Sequence, residues 1–90
     1  MNLSSLPIKT KGFYLESIDD ELLLYHPEHA RALYLNDTAA LVWQMCDGRD
    51  RIIDIIEILK DSFPESAEVI PDEVEETLKK LLKARAVQLV

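Results

Sequence analysis

Apolar and polar residues alternate in three short segments of the first third of the chain. Two of these runs, residues 13–18 and 21–26, are separated by Asp19-Asp20, a pair that suits a tight turn. A second turn signal at residues 27–29 leads into a third run at residues 31–35. The pattern therefore predicts three consecutive antiparallel strands joined by two turns.

After residue 36 the apolar residues recur with a period near 3.6, which is typical of helices. This period predicts three helices, near residues 37–47, 51–62 and 72–84. Strands followed by helices in this order predict an α+β fold with a three-stranded antiparallel sheet and a three-helix bundle.

Local residue chemistry predicts where the helices begin and end. Asn36 is expected to cap the first helix, with Asp37 near the positive end of the helix dipole. Gly48 supplies a left-handed stop after that helix. Asp72 and Glu75 have the spacing of a capping box at the start of the third helix.

The helical stripes predict the core. The first helix contributes Ala39, Leu41, Val42, Met45 and Cys46, with Trp43 at the side. The second contributes Ile52, Ile55, Ile56, Leu59 and Phe63, flanked by Ile53 and Ile58, and the third contributes Val74, Leu78 and Leu81, with Leu82 partly outside the stripe.

Ninety residues make one domain, because a chain of this length does not divide into two cores. Residues 1–11 show little periodicity and are expected to form a flexible arm before a domain of residues 12–90. The pattern leaves open whether residues 87–90 form a strand. No apolar run is long enough for a signal peptide or a membrane span, and the single Cys46 fits a reducing compartment, so a cytoplasmic location is expected.

The charge balance argues against nucleic acid and membrane partners. Seventeen acidic residues against ten basic residues give a net charge of -7, which disfavours attraction to phosphate backbones and anionic lipids. With only Gly12 and Gly48 in the chain, no glycine-rich phosphate loop can form. We therefore expect neither nucleic acid nor a membrane among the partners.

Candidate catalytic and metal-binding residues are few. His26, His29 and Cys46 have side chains that bind zinc, but a stable site needs three or four ligands at fixed short spacings. No serine has a nucleophile motif, and no Cys-His signature surrounds Cys46. The sequence therefore predicts no enzyme activity, no metal and no cofactor.

Two features suit the binding of a peptide. Lys79, Lys80, Lys83 and Arg85 form the one concentrated positive patch, which either matches the helix dipole or meets an acidic peptide. If the strands lie in sequential order, residues 31–36 form an edge strand, and extended peptides bind such edges as an added strand.

Several short motifs occur in a familiar order along residues 12–88. They are Leu24-Tyr25-His26-Pro27-Glu28, Leu35-Asn36, Thr38-Ala39-Ala40, Trp43, Cys46-Asp47-Gly48 and the helix with Glu73-Val74, Leu78 and Leu81. In these residues the chain resembles the PqqD family of pyrroloquinoline quinone biosynthesis, which typifies the precursor-peptide recognition elements of ribosomally made, modified peptides. The chain departs from the family at three places: the second turn reads Pro27-Glu28-His29-Ala30, where relatives often have glycine after Pro-Glu; Arg85 stands where many relatives carry a glycine that closes the third helix; and Glu73 stands where aspartate is common.

The resemblance implies a winged-helix-like fold and a function. A non-catalytic peptide chaperone of this kind binds the leader of a precursor peptide as a fourth strand and presents it to a modifying enzyme, often of the radical-SAM type. The residues that the resemblance assigns to the groove are Arg31, Ala32, Leu33, Tyr34, Leu35 and Asn36 on the strand, with Glu75, Leu78, Lys79, Leu82 and Lys83 on the third helix.

Two other functions fit a fold of this shape. A winged-helix DNA-binding protein would need bases on its recognition helix, whereas the second helix carries Asp54, Glu57 and Asp61 against Lys60 alone. A structural subunit would instead dock to a larger protein through apolar residues outside the core stripe, namely Ile53, Ile58 and Leu82.

Overall fold

A computed structural model describes residues 1–90 as a mixed α+β domain. Its strands are β1 (Pro7–Lys9), β2 (Tyr14–Ile18), β3 (Glu21–His26), β4 (Arg31–Leu35) and β5 (Val87–Leu89), and its helices are α1 (Asp37–Gln44), α2 (Ile52–Ser62) and α3 (Ile70–Lys83), with a short 3₁₀ turn at Pro64–Ser66. The three predicted strands and three predicted helices are confirmed. None of the helices combines the length and the apolar character that crossing a bilayer requires.

The predicted hairpins form an antiparallel sheet in the order β2-β3-β4. Asp19 and Asp20 form the turn between β2 and β3 with φ values of 49° and 67°. Positive φ at both positions matches the twist of a two-residue hairpin, and aspartate tolerates it better than most residues. Ala30 ends the second turn with φ 49°. The two turns join the strands so that Ile18 pairs with Glu21 and His26 pairs with Arg31.

A second sheet, absent from the sequence prediction, joins the two ends of the chain. β1 pairs with β5 in antiparallel register, with Pro7 opposite Leu89 and Lys9 opposite Val87. The Leu6 amide donates to the Val90 carbonyl at 2.8 Å, and the Val90 amide donates to the Leu6 carbonyl at 2.9 Å. β1 therefore lies within the segment that was expected to be a flexible arm, and its pairing partner lies at the other end of the chain.

The apolar faces of the helices pack with the inner face of the three-stranded sheet. The best-buried side chains include Leu24 of β3 and, as the helical stripes predicted, Ile52, Ile55, Leu78 and Leu81. Trp43 is also in the core, at 9% exposure, with the Lys9 ammonium 4.9 Å from its ring centroid. Trp43, at the side of the α1 stripe, thus lies in one core with Ile52 and Ile55 of α2.

Phe63 is the exception in α2. It was expected on the buried stripe, but its side chain is 46% exposed. The backbone of Phe63 leaves the helical region, with φ -130° and ψ 68°, because Pro64 follows it. The Phe63 side chain therefore does not point where it would if the helix continued through this residue.

The two predicted helix caps have different outcomes. Asn36 caps α1 as expected, because its Oδ1 accepts a hydrogen bond from the Ala39 amide at 2.8 Å. α3 begins at Ile70 with Pro71 in its first turn, so the predicted capping box of Asp72 and Glu75 is wrong. Proline is well suited to a first helical turn, where its missing N–H would have had no partner in the helix. Asp72 still lies in the first turn, where its charge favours the helix dipole.

Candidate functional site: a cleft between β4 and α3

The outer edge of β4 and one face of α3 border a cleft, which continues past the start of α1. β4 pairs only with β3 and has no strand on its other side. A cavity of about 80 Å³ lies in this cleft. Its lining consists of Tyr34, Leu35, Asn36, Thr38, Ala39, Glu73, Glu76, Thr77 and Lys80.

The strand register determines which backbone groups of β4 are free. Ile18 and Glu21 close the two-residue hairpin and so form a hydrogen-bonded pair. The backbone N–H and C=O groups alternate in direction along β3, so those of Leu22, Leu24 and His26 point toward β4. These three residues pair there with Leu35, Leu33 and Arg31, respectively. The backbone N–H and C=O groups of Ala32 and Tyr34 consequently point away from the sheet, toward the open edge.

Tyr34 is the most prominent side chain of this edge. It is 69% exposed and stands opposite Leu23, on the face of the sheet that does not carry the helices. Leu33 and Leu35 point to the other face, where they pack against the core. A chain added to β4 would therefore meet an exposed aromatic ring on one face and α3 on the other.

The α3 side of the cleft carries both signs of charge. Glu73, Glu76, Thr77 and Lys80 share one face, with spacings of three, four and seven residues from Glu73. Thr77 is buried and lies at the border between this face and the core stripe, whereas Glu76 and Lys80 are exposed. The cleft is thus polar along its helical rim and closed beneath by Thr77, Ala39 and Leu35.

Of the predicted groove residues, those on the strand lie where expected. Tyr34, Leu35 and Asn36 line the cavity, and Arg31, Ala32 and Leu33 continue the same edge. The functional role of these residues remains a prediction.

The predicted residues on α3 mostly lie elsewhere. Leu78 is fully buried, so the structure does not bring it to the cleft surface, and Leu82 is half-buried against the core. Glu75 lies 3.8 Å from the Lys79 ammonium and 3.9 Å from the amino group of Met1, on the flank facing the start of the chain. Lys83 lies roughly 60° from Lys80 around the helix, at the margin of the cleft face.

Sequence reasoning placed Lys80 in the positive patch but not among the groove residues, and it missed Glu73, Glu76 and Thr77. The available signal was Thr77, the one hydroxyl residue among the buried positions of α3. A polar residue at such a position indicates where a buried stripe borders a partly solvated surface.

Arg31 connects the start of β4 to the end of α3. Its Nη1 donates a hydrogen bond to the main-chain oxygen of Ala84 at 3.3 Å. The last carbonyl groups of a helix have no partner within the helix and carry partial negative charge, so a guanidinium is well placed there. This bond links strand and helix at the end of β4 away from the cavity.

The candidate metal ligands do not come together as a set. Cys46 is fully buried, and its thiol donates to the Val42 carbonyl at 3.1 Å. Burial raises the pKa of this thiol to about 12, which opposes the thiolate form that metals bind.

His26 and His29 do lie close together, with Glu28 beside them and the ligand atoms of all three within 4.8 Å of one another. However, the Nδ1 of His26 accepts a hydrogen bond from the Glu28 amide at 3.2 Å. The Nε2 of His26 abuts Gly12, where a Cβ would lie only 2.4 Å from it. Both ring nitrogens of His26 are therefore occupied or enclosed by the chain itself.

A family model described as coenzyme PQQ synthesis protein D (PqqD) matches residues 21–87. The match includes β3, β4, all three helices and the first residue of β5, and therefore contains the whole cleft. No curated protein and no solved structure matches this chain.

Proposed function

This chain belongs to the PqqD family, and on that premise we propose that it serves pyrroloquinoline quinone biosynthesis or a related peptide pathway by binding a precursor peptide. The leader of the peptide adds to β4 as a further strand, and the protein presents it to a modifying enzyme, which the resemblance implies is of the radical-SAM type. The proposed role is that of a non-catalytic, winged-helix-like peptide chaperone.

The observation that carries this proposal is the open edge of β4 beside α3. Ala32 and Tyr34 each offer an outward N–H and C=O, which supports two pairs of backbone hydrogen bonds with an extended peptide. Such bonds fix the register of the peptide and do not depend on its side chains.

Side-chain selectivity then comes from the two faces of the added strand. Alternate residues of the peptide face α3, where the small cavity above Thr77 and Ala39 suits a short side chain and Lys80 suits an acidic one. The remaining residues of the peptide face the side of Tyr34, whose exposed ring gives apolar area at low entropic cost.

A docking subunit is the second candidate, because α2 exposes large apolar residues. Ile53, Ile58 and Phe63 are 37%, 44% and 46% exposed, and all three belong to α2 or its C-terminal end. Exposed apolar side chains of this kind suit contact with a larger protein, although Ile53 and Ile58 lie about 140° apart around the helix. Within the chaperone proposal, α2 is the element on which the modifying enzyme docks.

Amide chemical shifts provide the direct test. The isotope-labelled protein would be titrated with the leader segment of a precursor peptide encoded beside its gene, at 150 mM salt. We expect saturable shift changes at residues 32–36 and 73–80. A scrambled peptide of the same composition should leave these amides unmoved. Shift changes confined to α2, or none at all, would refute strand addition at β4.

A further inference from the structure

A second cavity lies at the opposite end of β4 from the cleft. Its volume is about 210 Å³. We call it the basic cavity, and its lining consists of Thr10, Lys11, Phe13, His26, His29, Arg31 and Arg85.

The charge of the basic cavity is opposite to that of the whole protein. The chain has a net charge of -7 and ten Lys and Arg residues. Three of those residues, Lys11, Arg31 and Arg85, line this one cavity, and no Asp or Glu does. Glu28 lies beside His26 and His29 but outside the lining. Concentrated positive charge on an acidic protein focuses attraction on small anions.

The backbone conformation at Arg85 is one that disfavours arginine. Arg85 follows the end of α3 with φ 60°, a left-handed conformation in which glycine has no steric penalty and an arginine does. The backbone alone therefore favours glycine at this position. What arginine adds is a positively charged residue in the lining of the basic cavity.

The guanidinium of Arg31 is already held in place. One of its N–H donors is bonded to the Ala84 carbonyl, next to Arg85 in the chain. A guanidinium has five donors, so four remain after this bond. Because the bond fixes the orientation of the group, a ligand that binds Arg31 loses less side-chain entropy on binding.

We propose that the basic cavity binds a phosphate-type oxyanion that carries more than one negative charge. Guanidinium groups match the geometry of such oxygens in paired hydrogen bonds, and Lys11 adds a point charge. Because three permanent cations line the cavity and no Asp or Glu does, a ligand with two negative charges is favoured over a ligand with one carboxylate group. The volume far exceeds the roughly 30 Å³ share of one water molecule, so the cavity admits a phosphate group. The basic cavity shares Arg31 with the proposed peptide edge but no residue with the lining of the cleft cavity, and anion binding there does not depend on a peptide.

Amide shift titration with sodium phosphate tests the proposal on the intact protein. Sodium chloride and sodium acetate at equal ionic strength are the reference salts. We expect phosphate to cause saturable shift changes at residues 10–13, 29–31 and 84–86, whereas chloride causes none there and acetate binds more weakly. Phosphate changes no larger than those from chloride, or equal affinity for acetate, would overturn the proposal.

A parallel titration with glycerol 3-phosphate distinguishes the source of the anion. Tighter binding than inorganic phosphate would identify a phosphate monoester as the ligand, and weaker binding would identify the free ion. Either result supports the site, and the absence of binding by both probes refutes it.

Arg85→Gly is the decisive variant, because the φ of this residue favours glycine. We expect it to fold with unchanged or increased thermal stability and to bind phosphate about tenfold more weakly, as expected for the loss of one charge-assisted hydrogen bond. Arg49→Gln, which removes an exposed arginine that does not line the cavity, is the matched control and should bind as the unaltered protein does. Unchanged affinity in Arg85→Gly would refute the assignment. Since no peptide is present, failure here leaves the peptide proposal intact, and failure of peptide binding leaves this site intact.

Discussion

Arg31, the first residue of β4, donates a hydrogen bond to the carbonyl of Ala84, the residue that caps the end of α3. The contact joins residues 53 positions apart and lies where the peptide edge begins and the basic cavity ends. It therefore holds the spacing between strand and helix at one end of the cleft, while Asn36 and the start of α1 define the other end.

Proline substitutions at neighbouring positions of β4 should have opposite effects. The Tyr34 amide points to the open edge, so Tyr34→Pro is expected to keep the fold and to weaken peptide binding at least about tenfold through loss of one hydrogen bond and displacement of the added strand. The Leu33 amide pairs with β3, so Leu33→Pro should lower the free energy of unfolding by about 1–3 kcal/mol.

Urea unfolding and peptide titration measure the two effects separately. Tyr34→Ala is the control for the lost ring, because it keeps the N–H group. If Tyr34→Pro unfolds the sheet and Leu33→Pro does not, the assignment of the free edge is reversed.

Two adjacent lysines of α3 provide a charge test. Lys80 lines the cleft, whereas Lys79 lies on the other flank, 3.8 Å from Glu75. Lys80→Glu should weaken binding of an acidic leader severalfold in low salt, and less at physiological ionic strength, where charges are screened beyond about 8 Å. Lys79→Glu carries the same charge change and should have little effect. If calorimetry shows equal losses of peptide affinity in both variants, the net charge of the protein determines the affinity, and the position of Lys80 in the cleft does not.

The Cys46 thiol should make the stability depend on alkaline pH. Burial raises its pKa from 9.0 in the exposed state to about 12. The unfolded chain therefore ionises first, so this contribution to stability is intact below about pH 9 and decreases as the pH rises toward 12. Cys46→Ala should flatten this part of the stability curve, although it lowers stability at neutral pH through the small cavity it leaves. A thiol reagent that labels the folded protein at pH 8 as fast as the unfolded one would contradict the assignment.

Removal of residues 1–9 should expose the single tryptophan. Lys9 lies over the ring of Trp43, and β1 pairs with β5, so the truncation is expected to shift the tryptophan fluorescence to longer wavelength and to lower the melting temperature by several degrees. Removal of residues 1–2 alone leaves β1 in place and is the control. Identical emission from both truncated proteins would show that β1 does not cover Trp43.

The parts of the fold that the sequence predicted are those governed by neighbouring residues. Asp19-Asp20 favours a turn with positive φ, and Asn36 caps the helix that starts directly after it, so each could be inferred from a few adjacent positions. The pairing of β1 with β5 could not, because three-residue strands carry almost no periodicity and their partners lie at opposite chain ends.

The candidate site also has one part that the sequence predicted and one part that it did not. The edge strand followed from strand order, but the face of α3 that borders the cleft depends on how the helix is rotated against α1 and β4. Sequence periodicity located the buried stripe of Leu78 and Leu81, yet it gave no preference between the two flanks of that stripe. Glu75 lies on one flank and Glu73 on the other, and only tertiary packing distinguishes them.

The mutual hydrogen bonds between Leu6 and Val90 have a consequence for engineering the molecule. Since these residues lie side by side, a short linker can join them, and new termini can be placed between Asp19 and Asp20 at the tip of the exposed hairpin. Such a circular permutant retains every strand pair of both sheets. The new termini would lie beside the cleft end of β4, because Asp20 lines a cavity together with Leu35 and Asn36.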